Sequence, residues 1–295
     1  MYELIRISKR AHYISCPSRV GIVEIGDGAV CLIDAGSDRD TAKRVLRHIR
    51  ENGWRVSAIY VTHSHADHIG GCKYLQEQTG CKIYAKGIEA DFVNHPILEP
   101  SLVWSASPPD ALRHKFLLAQ PSICEPLTDE VLPECIRMID LGGHSPDMVG
   151  FAVDDGTVFV GDAFSSEATL EKYRVGYIYD IERYIDTLLR LRSTDGKIFV
   201  PSHANVSDDI AQIVDYNLEN TNKIIQKILE ICTQGRTCEQ ILKEILDFYG
   251  LVLTYEQYGL VGSTIRAYLS HLLRRGEIEG TTEGNELRFV TVSDK

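Results

Sequence analysis

Three histidines and one aspartate are concentrated between His63 and His68, in the segment THSHADHIGG of residues 62–71. The segment follows a β-branched apolar run, so we predict that it leaves the end of a strand. Such a turn can direct His63 and His65 to one point, and Asp67 and His68 to a second. Imidazole nitrogen and carboxylate oxygen are typical ligands of zinc, with manganese and iron also possible. The segment therefore predicts a metal loop.

Three further potential ligands each follow a short apolar run that is typical of a strand, and they are His144, Asp162 and His203. Residues on loops at strand ends often carry function. Another such run precedes Asp34-Ala-Gly36. In order and in type, these segments and the metal loop resemble the metallo-β-lactamase superfamily.

The resemblance implies a centre of two divalent metal ions, most often zinc. One ion would be bound by His63, His65 and His144, the other by Asp67, His68 and His203, with Asp162 as the bridge between them. Asp34 would hold the metal loop through a hydrogen bond. Asp147 stands where the family usually has glycine, and we expect it either to support a ligand or to cap a helix or turn.

Two neighbouring cations can share a water and lower its pKa, so that a bridging hydroxide attacks an electrophilic carbonyl or phosphorus. Asp67 is the candidate catalytic residue that orients this hydroxide and accepts its proton. A bridging aspartate such as Asp162 is typical of the thioesterase, lactonase and nuclease branches, whereas the zinc lactamases most often use a cysteine or only histidines. We therefore expect a dinuclear metal-dependent hydrolase of a small ester, thioester or lactone.

Other functions stay open at this point. The first alternative is a metal-dependent phosphodiesterase or ribonuclease, and the second is a mononuclear iron persulfide dioxygenase, which also uses His, His and Asp ligands. A purely structural metal site is disfavoured, because seven potential ligands around two ions leave positions open, and structural zinc sites do not.

The elements that must position these residues alternate between strand and helix up to about residue 85 and again from about residue 135. The superfamily has the same order in its αββα sandwich, an α/β fold with the metals at the shared edge of two sheets. We predict a catalytic domain over residues 1–207. The amphipathic helix of residues 39–51 and a helix over residues 67–78 would belong to its first half.

Residues 96–134 interrupt the alternation with several prolines, so we expect an insertion that is either a lid or a packed surface segment. Trp104 and Phe116 lie within it. Tyr177 and Tyr179 lie in the second candidate wall, residues 164–179, just beyond Asp162. These four aromatic residues are the candidate substrate contacts.

Residues 208–295 predict a small C-terminal unit with helices over residues 208–233, 238–249 and 263–275 and a ribbon after them. This order resembles a winged-helix module of the kind appended to some hydrolases of the same fold. From Arg236 onward, seven basic side chains stand against nine acidic ones, which disfavours nucleic acid as a partner without excluding it. We expect a structural or protein-contacting unit, with a homodimer as its foremost use.

The amino-acid composition limits the partners and the cellular compartment that we expect for the protein. A net charge of −11 disfavours non-specific binding to a polyanion, and eight cysteines without a Cys-x-x-Cys pair indicate reduced thiols. The first ten residues carry charges throughout, so they form neither a signal peptide nor a membrane span. We therefore expect a cytoplasmic protein that acts on a small molecule, which counts against a secreted lactamase.

Overall fold

The computed structural model describes residues 2–292. The strands are β1 (Glu3–Arg6), β2 (Ala11–Ser15), β3 (Val20–Gly26), β4 (Ala29–Ile33), β5 (Arg55–Tyr60), β6 (Lys82–Ala85), β7 (Cys124–Pro126), β8 (Ile136–Asp140), β9 (Val149–Val153), β10 (Thr157–Gly161), β11 (Ile198–Pro201), β12 (Ile278–Glu283) and β13 (Glu286–Thr291). The α-helices are α1 (Arg39–Glu51), α2 (Ala66–Ile69), α3 (Cys72–Thr79), α4 (Ile88–Asn94), α5 (Leu98–Trp104), α6 (Glu167–Tyr173), α7 (Ile181–Arg192), α8 (Ala211–Cys232), α9 (Cys238–Tyr249) and α10 (Tyr255–Arg274).

The first sheet contains seven strands in the order β1 to β7. Neighbours are antiparallel as far as β4 and parallel from β4 to β7. Helix α1 covers its outer face because Ala42, Val45, Leu46 and Ile49 recur at three-to-four spacing and form one apolar stripe. These side chains are buried in a cluster with the strands and with α3.

The second sheet contains four strands in the order β11-β10-β9-β8. Strands β10 and β11 are parallel, and the other pairs are antiparallel. Between the two sheets lies a buried apolar cluster that includes Ile33 and Tyr60 from the first sheet and Phe151, Phe159 and Val200 from the second. With helices on both outer faces, the molecule is the predicted αββα sandwich.

Helices α7, α8, α9 and α10 pack on one another and share a buried apolar cluster with the outer face of the second sheet. Val160 and Leu188 share one buried cluster with Ile228, Ile245 and Leu272 of the C-terminal helices. The apolar core is therefore continuous across residues 207 and 208, where we placed a domain boundary, and the division into two domains stays a prediction. Strands β12 and β13 form a separate antiparallel ribbon at the end of the chain.

Two helix predictions need correction. Helix α10 begins at Tyr255, well before the predicted start at residue 263, because Thr254 and Gln257 form a reciprocal capping box there. The helix predicted over residues 67–78 is divided into α2 and α3 at Gly70 and Gly71. A β-carbon on Gly71 would lie only 2.2 Å from the carbonyl oxygen of Ala35, so glycine is required for this close approach to the turn after β4.

The insertion of residues 96–134 contains α5 and the edge strand β7 of the first sheet, and it also contacts α10 and the start of α1. On one side, Trp104 stacks on Tyr255 of α10, with 5.7 Å between ring centroids. On the other, Lys115 forms an ion pair of 3.1 Å with Asp38 at the start of α1. These contacts favour the packed segment over a freely moving lid.

None of the helices between residues 2 and 292 combines the length and the apolar content needed to cross a membrane. All eight cysteines carry free thiols, in line with the composition.

Candidate metal centre

Seven potential metal ligands meet at the edge of the sandwich, where several strands end. The metal loop leaves the end of β5, and α2 begins within it. His144 lies on the loop between β8 and β9, Asp162 directly follows β10, and His203 follows β11. The structure groups the side chains into sets with donor atoms within 4.8 Å of one another, and these are His63, His65 and His144; His63, His68 and Asp162; and Asp67, His68 and His203.

The first group consists of three imidazoles. Nδ1 of His65 lies 3.1 Å from Nε2 of His63 and 3.0 Å from Nε2 of His144. Three ring nitrogens that face one another so closely suit a shared cation, which each lone pair can bind. This is the predicted set for one metal ion.

The two carboxylates belong to different groups, Asp162 to the second and Asp67 to the third, and His68 belongs to both of these groups. Nε2 of His203 lies 3.0 Å from Oδ2 of Asp67, and Nε2 of His68 lies 3.6 Å from the same oxygen. Asp162 stands between the groups, with Oδ1 3.4 Å from Nε2 of His68. Its Oδ2 lies 3.7 Å from Nε2 of His144 and 3.5 Å from Nε2 of His203. Asp162 thus has the position of the predicted bridge.

Hydrogen bonds orient four of the imidazoles from behind. In each case Nδ1 faces an oxygen that can accept its hydrogen, and with the proton on Nδ1 the lone pair of Nε2 can bind a metal ion. The acceptors are Oγ1 of Thr62 for His63 at 3.0 Å, Oδ2 of Asp34 for His68 at 2.8 Å, the carbonyl of Tyr177 for His144 at 3.0 Å and the carbonyl of Pro17 for His203 at 2.8 Å.

Asp34 supports the metal loop as the resemblance implied. Its carboxylate accepts hydrogen bonds from the backbone N–H of Thr62 at 2.7 Å, from the Thr62 hydroxyl at 2.8 Å and from His68. Asp34 has a φ of 63°, which is uncommon for a residue other than glycine. Its hydrogen bonds hold it in this conformation at the end of β4.

Glu89 is a functional residue that the sequence did not reveal. Its fully buried carboxylate accepts from the backbone N–H of Ser64 at 2.9 Å, from the hydroxyls of Ser64 and Ser145, and from the N–H of Asp147 at 3.0 Å. Ser64 separates the ligands His63 and His65, and Ser145 follows His144. One side chain of α4 therefore joins two ligand-bearing loops.

Asp147 and Arg19 form hydrogen bonds that stabilise segments around the metal centre. The carboxylate of Asp147 accepts from the N–H of Ile88 at 3.1 Å, so it caps the start of α4, and this contact favours the cap over support of a ligand. Arg19 donates to the carbonyls of Pro201 at 2.7 Å and of Ala204. The loop that carries His203 is thereby tied to the start of β3, a long-range contact without a local sequence signal.

The pKa values of the histidines shift in different directions: those of His63, His65 and His144 are lowered, and that of His68 is raised. Burial lowers the pKa of His63, of His144 and of His65, the last to about 3. Burial alone would also lower the pKa of His68, but the carboxylates of Asp67, Asp162 and Asp34 outweigh it and hold that pKa well above its usual value.

The pKa values of Asp67 and Asp162 are lowered, whereas that of His68 is raised. Burial raises the pKa of Asp67, but His68 and His203 outweigh it and lower the pKa to about 2. The same two histidines hold the pKa of Asp162 well below its ordinary value against burial. Both acids are therefore ionised at neutral pH, as metal ligands must be.

A pair of divalent cations fits this donor set. Within residues 2–292, Oδ1 of Asp162 is buried and makes no hydrogen bond, which is costly for a carboxylate oxygen unless a cation or another partner binds it. Five imidazoles and two carboxylates match the preferences of zinc, and also those of manganese and iron. Their roles as ligands stay predictions, as do the identity and number of the metal ions.

A cavity of about 600 Å³ opens beside the centre. His144, Asp162, His203 and Tyr177 contribute to its wall. Of the four aromatic residues proposed as substrate contacts, Tyr177 lines this cavity, whereas Trp104 packs on α10, and Phe116 and Tyr179 have exposed side chains.

Comparison with protein families places these features in context. The sequence model of the metallo-beta-lactamase superfamily matches residues 14–203, the part of the chain that holds all seven potential ligands.

Several curated proteins are similar in sequence. A beta-lactamase-like protein 2 homolog from Drosophila melanogaster is 24% identical over 269 residues, which are 88% of this chain and 83% of that protein. An atrochrysone carboxyl ACP thioesterase from Aspergillus fumigatus is 24% identical over 70% of this chain and 57% of its own length. A hydroxyacylglutathione hydrolase from Prochlorococcus marinus is 32% identical over 41% of this chain and 42% of its own length. The chain thus spans about half the length of the last two.

Solved structures share the architecture over nearly the whole chain. A beta-lactamase domain protein from Burkholderia ambifaria has a TM-score of 0.74 at 16% identity and covers 98% of this chain and 94% of its own. A metallo-beta-lactamase family protein from Thermus thermophilus has a TM-score of 0.72 at 17% identity and covers 98% and 97%. The shared fold therefore includes the helices after residue 207.

Proposed function

The chain belongs to the metallo-β-lactamase superfamily and is a hydrolase of that superfamily, and from this premise we propose that it hydrolyses a small ester, thioester or lactone with two divalent cations, most often zinc. The observation that carries the proposal is the position of Asp162 at the mouth of a cavity, where its carboxylate lies 3.7 Å from Nε2 of His144 and 3.5 Å from Nε2 of His203. The hydrolase names of two relatives support it, since one is a thioesterase and the other a hydroxyacylglutathione hydrolase.

In this proposal, the potential ligands bind the two cations and Asp67 orients the attacking water. His63, His65 and His144 would hold one cation, and the second would be held by the group around His68, with Asp162 between them. When bound, such cations polarise a carbonyl and lower the pKa of water. Asp67 is half-buried beside His203 and is ionised, so its carboxylate can accept a hydrogen bond from a water and orient it. In the proposal, Asp67 also receives the proton of that water.

Tyr177 supplies a neutral hydrogen-bond donor at the same place. Its ring contacts those of His65 and His144 edge to face, with centroids 5.2 and 5.9 Å apart. Burial raises the pKa of its phenol, so the hydroxyl keeps its proton. We infer that it donates a hydrogen bond to the substrate in the cavity.

A metal-dependent phosphodiesterase is the second candidate, and the charge of the C-terminal ribbon argues against it. Glu279 and Glu283 on β12 and Glu286 on β13 are all exposed. Acidic side chains on this ribbon would repel a phosphate backbone.

The first test is the metal content of protein purified without added metal or chelator, measured by elemental mass spectrometry. We expect about two zinc or manganese ions per wild-type chain. Asp162→Ala should lose much of this metal, because it removes the carboxylate that contacts both groups. Asp186→Ala, an exposed substitution on α7, is the matched control and should keep the wild-type content.

The same preparation is then assayed with esters, thioesters and lactones. Hydrolysis of at least one class that is lost in Asp162→Ala and kept in Asp186→Ala supports the proposal. About one iron per chain, with oxygen consumption in the presence of a persulfide, would replace it with the dioxygenase alternative.

A further inference from the structure

We propose that the acyl group of the substrate is uncharged and apolar, and that it binds in the cavity beside the ligand cluster against helices α9 and α10. This inference rests on the proposed ester or thioester hydrolysis and adds the substrate class to it. It also gives the C-terminal helices a role in substrate selection.

The cavity has one polar end. His144, Asp162 and His203 lie at that end, where the scissile carbonyl must be placed for hydrolysis. Its volume of about 600 Å³ is within the range of about 300–1,000 Å³ that small-molecule sites occupy. Space therefore remains for a group much larger than acetyl beyond the reacting bond.

The rest of the wall is mainly apolar and comes from two parts of the chain. Phe164, Tyr173 and Val175 belong to the segment that follows Asp162. The C-terminal part of the chain contributes Leu246 of α9, Leu251 of the loop after it, and Leu260 and Val261 of α10. A chain bound at the ligand end would therefore extend toward α9 and α10.

The charges of the residues that line the cavity determine which acyl groups can bind there. Among the described residues that line the cavity, Asp162 is the single acidic side chain, and none is a lysine or an arginine. A carboxylate or phosphate on the acyl group would therefore be buried without a cationic partner, which is strongly unfavourable. Ser165, Thr169 and Gln257 leave room for a hydroxyl or an amide on the chain, but not for an ion.

The activity test uses acyl thioesters of N-acetylcysteamine from acetyl to decanoyl, with the zinc-loaded full-length protein. We expect kcat/KM to rise with each added methylene by up to about fourfold until the cavity is filled. Val261→Phe and Leu251→Phe reduce the space, so in each variant kcat/KM should fall more for the decanoyl than for the acetyl thioester, and the long-chain preference should be lost.

Val252→Phe is the matched control, because Val252 adjoins Leu251 in sequence and its side chain is 82% exposed. It should keep the wild-type dependence on chain length. Thermal unfolding followed by circular dichroism identifies a variant that fails to fold, and two cavity variants are made so that one such failure leaves the other as the test.

Binding is measured separately from catalysis, by calorimetry with methyl ketones of increasing length, which cannot be hydrolysed. We expect the affinity of both metal-loaded and chelator-treated protein to increase with chain length, and to fall in Val261→Phe but not in Val252→Phe. This result would show that the cavity binds apolar chains even if the protein hydrolyses no thioester.

The two proposals therefore fail in different ways. Ketone binding that depends on chain length without thioester, ester or lactone hydrolysis would overturn the proposed function and keep the apolar site. Hydrolysis that is equally fast for acetyl and decanoyl thioesters, with no ketone binding, would overturn the apolar site and keep the function. An equal loss of activity on all chain lengths in both cavity variants would also overturn it.

Discussion

At the scale of single residues, Glu89 connects the loop of His63 and His65 to the loop of His144 without being a potential ligand itself. Four donors converge on its carboxylate, two on each oxygen, and they come from both ligand-bearing loops. Every one of the four is an N–H or O–H group. An ionised carboxylate is the one side chain of this shape that can accept from all of them.

We therefore expect Glu89→Gln to bind metal about ten- to hundredfold more weakly than the wild type, as is typical when the outer hydrogen-bond partners of ligands are changed. The amide group of glutamine would face two donors with donors of its own, so one loop would lose its anchor. Competition with a chromogenic chelator measures the change. Glu77→Gln, on the exposed side of α3, should bind metal as the wild type does. Equal affinity in the two variants would show that Glu89 does not position the ligands.

The potential ligands themselves could be predicted from the sequence, because each lies within a few residues after the end of a strand and has a side chain of a type that binds metal. Glu89 could not, because its partners Ser64 and Ser145 are distant in the sequence and its own surroundings are ordinary for a helix. Tyr177 was predicted as a substrate contact, and its carbonyl contact with His144 was not. Backbone acceptors carry no side-chain signal, and only the folded chain brings them to the ligands.

At the scale of elements, the start of α1 links the first half of the sandwich to the insertion. Asp38 accepts from the N–H of Thr41 at 2.9 Å and caps the helix, and it also pairs with Lys115 of the insertion. Burial opposes its ionisation, but the hydrogen bonds from Thr41 and Lys115 prevail and lower its pKa from the ordinary value of 3.8. Prolines predicted an irregular insertion, while its attachment to α1 and α10 depends on contacts far apart in sequence.

This lowered pKa makes the stability of the fold depend on pH in a definite direction. Ionised Asp38 stabilises the folded state above its ordinary pKa of 3.8, and the contribution is lost as the pH falls through the lower folded value. Asparagine caps a helix about as well, so Asp38→Asn removes only the charge. We expect this variant to be less stable than the wild type at pH 7 by about 0.3–1 kcal/mol, and the difference to vanish in acid.

Urea unfolding at a series of pH values measures this difference. Asp186→Asn on α7 is the control for the loss of one exposed acidic charge. A stability difference for Asp38→Asn that is the same at pH 7 and at a pH far below 3.8, where Asp38 is protonated in the folded state too, would show that the charge of Asp38 has no part in it.

At the scale of the whole molecule, one apolar cluster joins the second sheet to the C-terminal helices. The order of elements predicted both the sandwich and a helical unit after it, but periodicity cannot tell which surface an apolar helix face will cover. Ile228 of α8 is fully buried in the same cluster as Val160 of β10. We infer that residues 208–292 and the sandwich fold as one cooperative unit, rather than as two independent domains.

The experiment that tests this inference follows unfolding near β5 while a residue of the C-terminal helices is substituted. The chain has two tryptophans, and in a Trp104→Phe background the fluorescence comes from Trp54, which lies directly before β5. Ile228→Ala should lower the free energy of unfolding by about 2–5 kcal/mol, since it leaves a cavity in the shared core. If the unit is cooperative, the urea transition seen by Trp54 must shift together with the transition seen by circular dichroism. Gln226→Ala, exposed on the same helix, should leave both transitions nearly in place. A Trp54 transition that does not move in Ile228→Ala would instead mean that the C-terminal helices unfold on their own, and the predicted boundary at residue 207 would then be a true folding boundary.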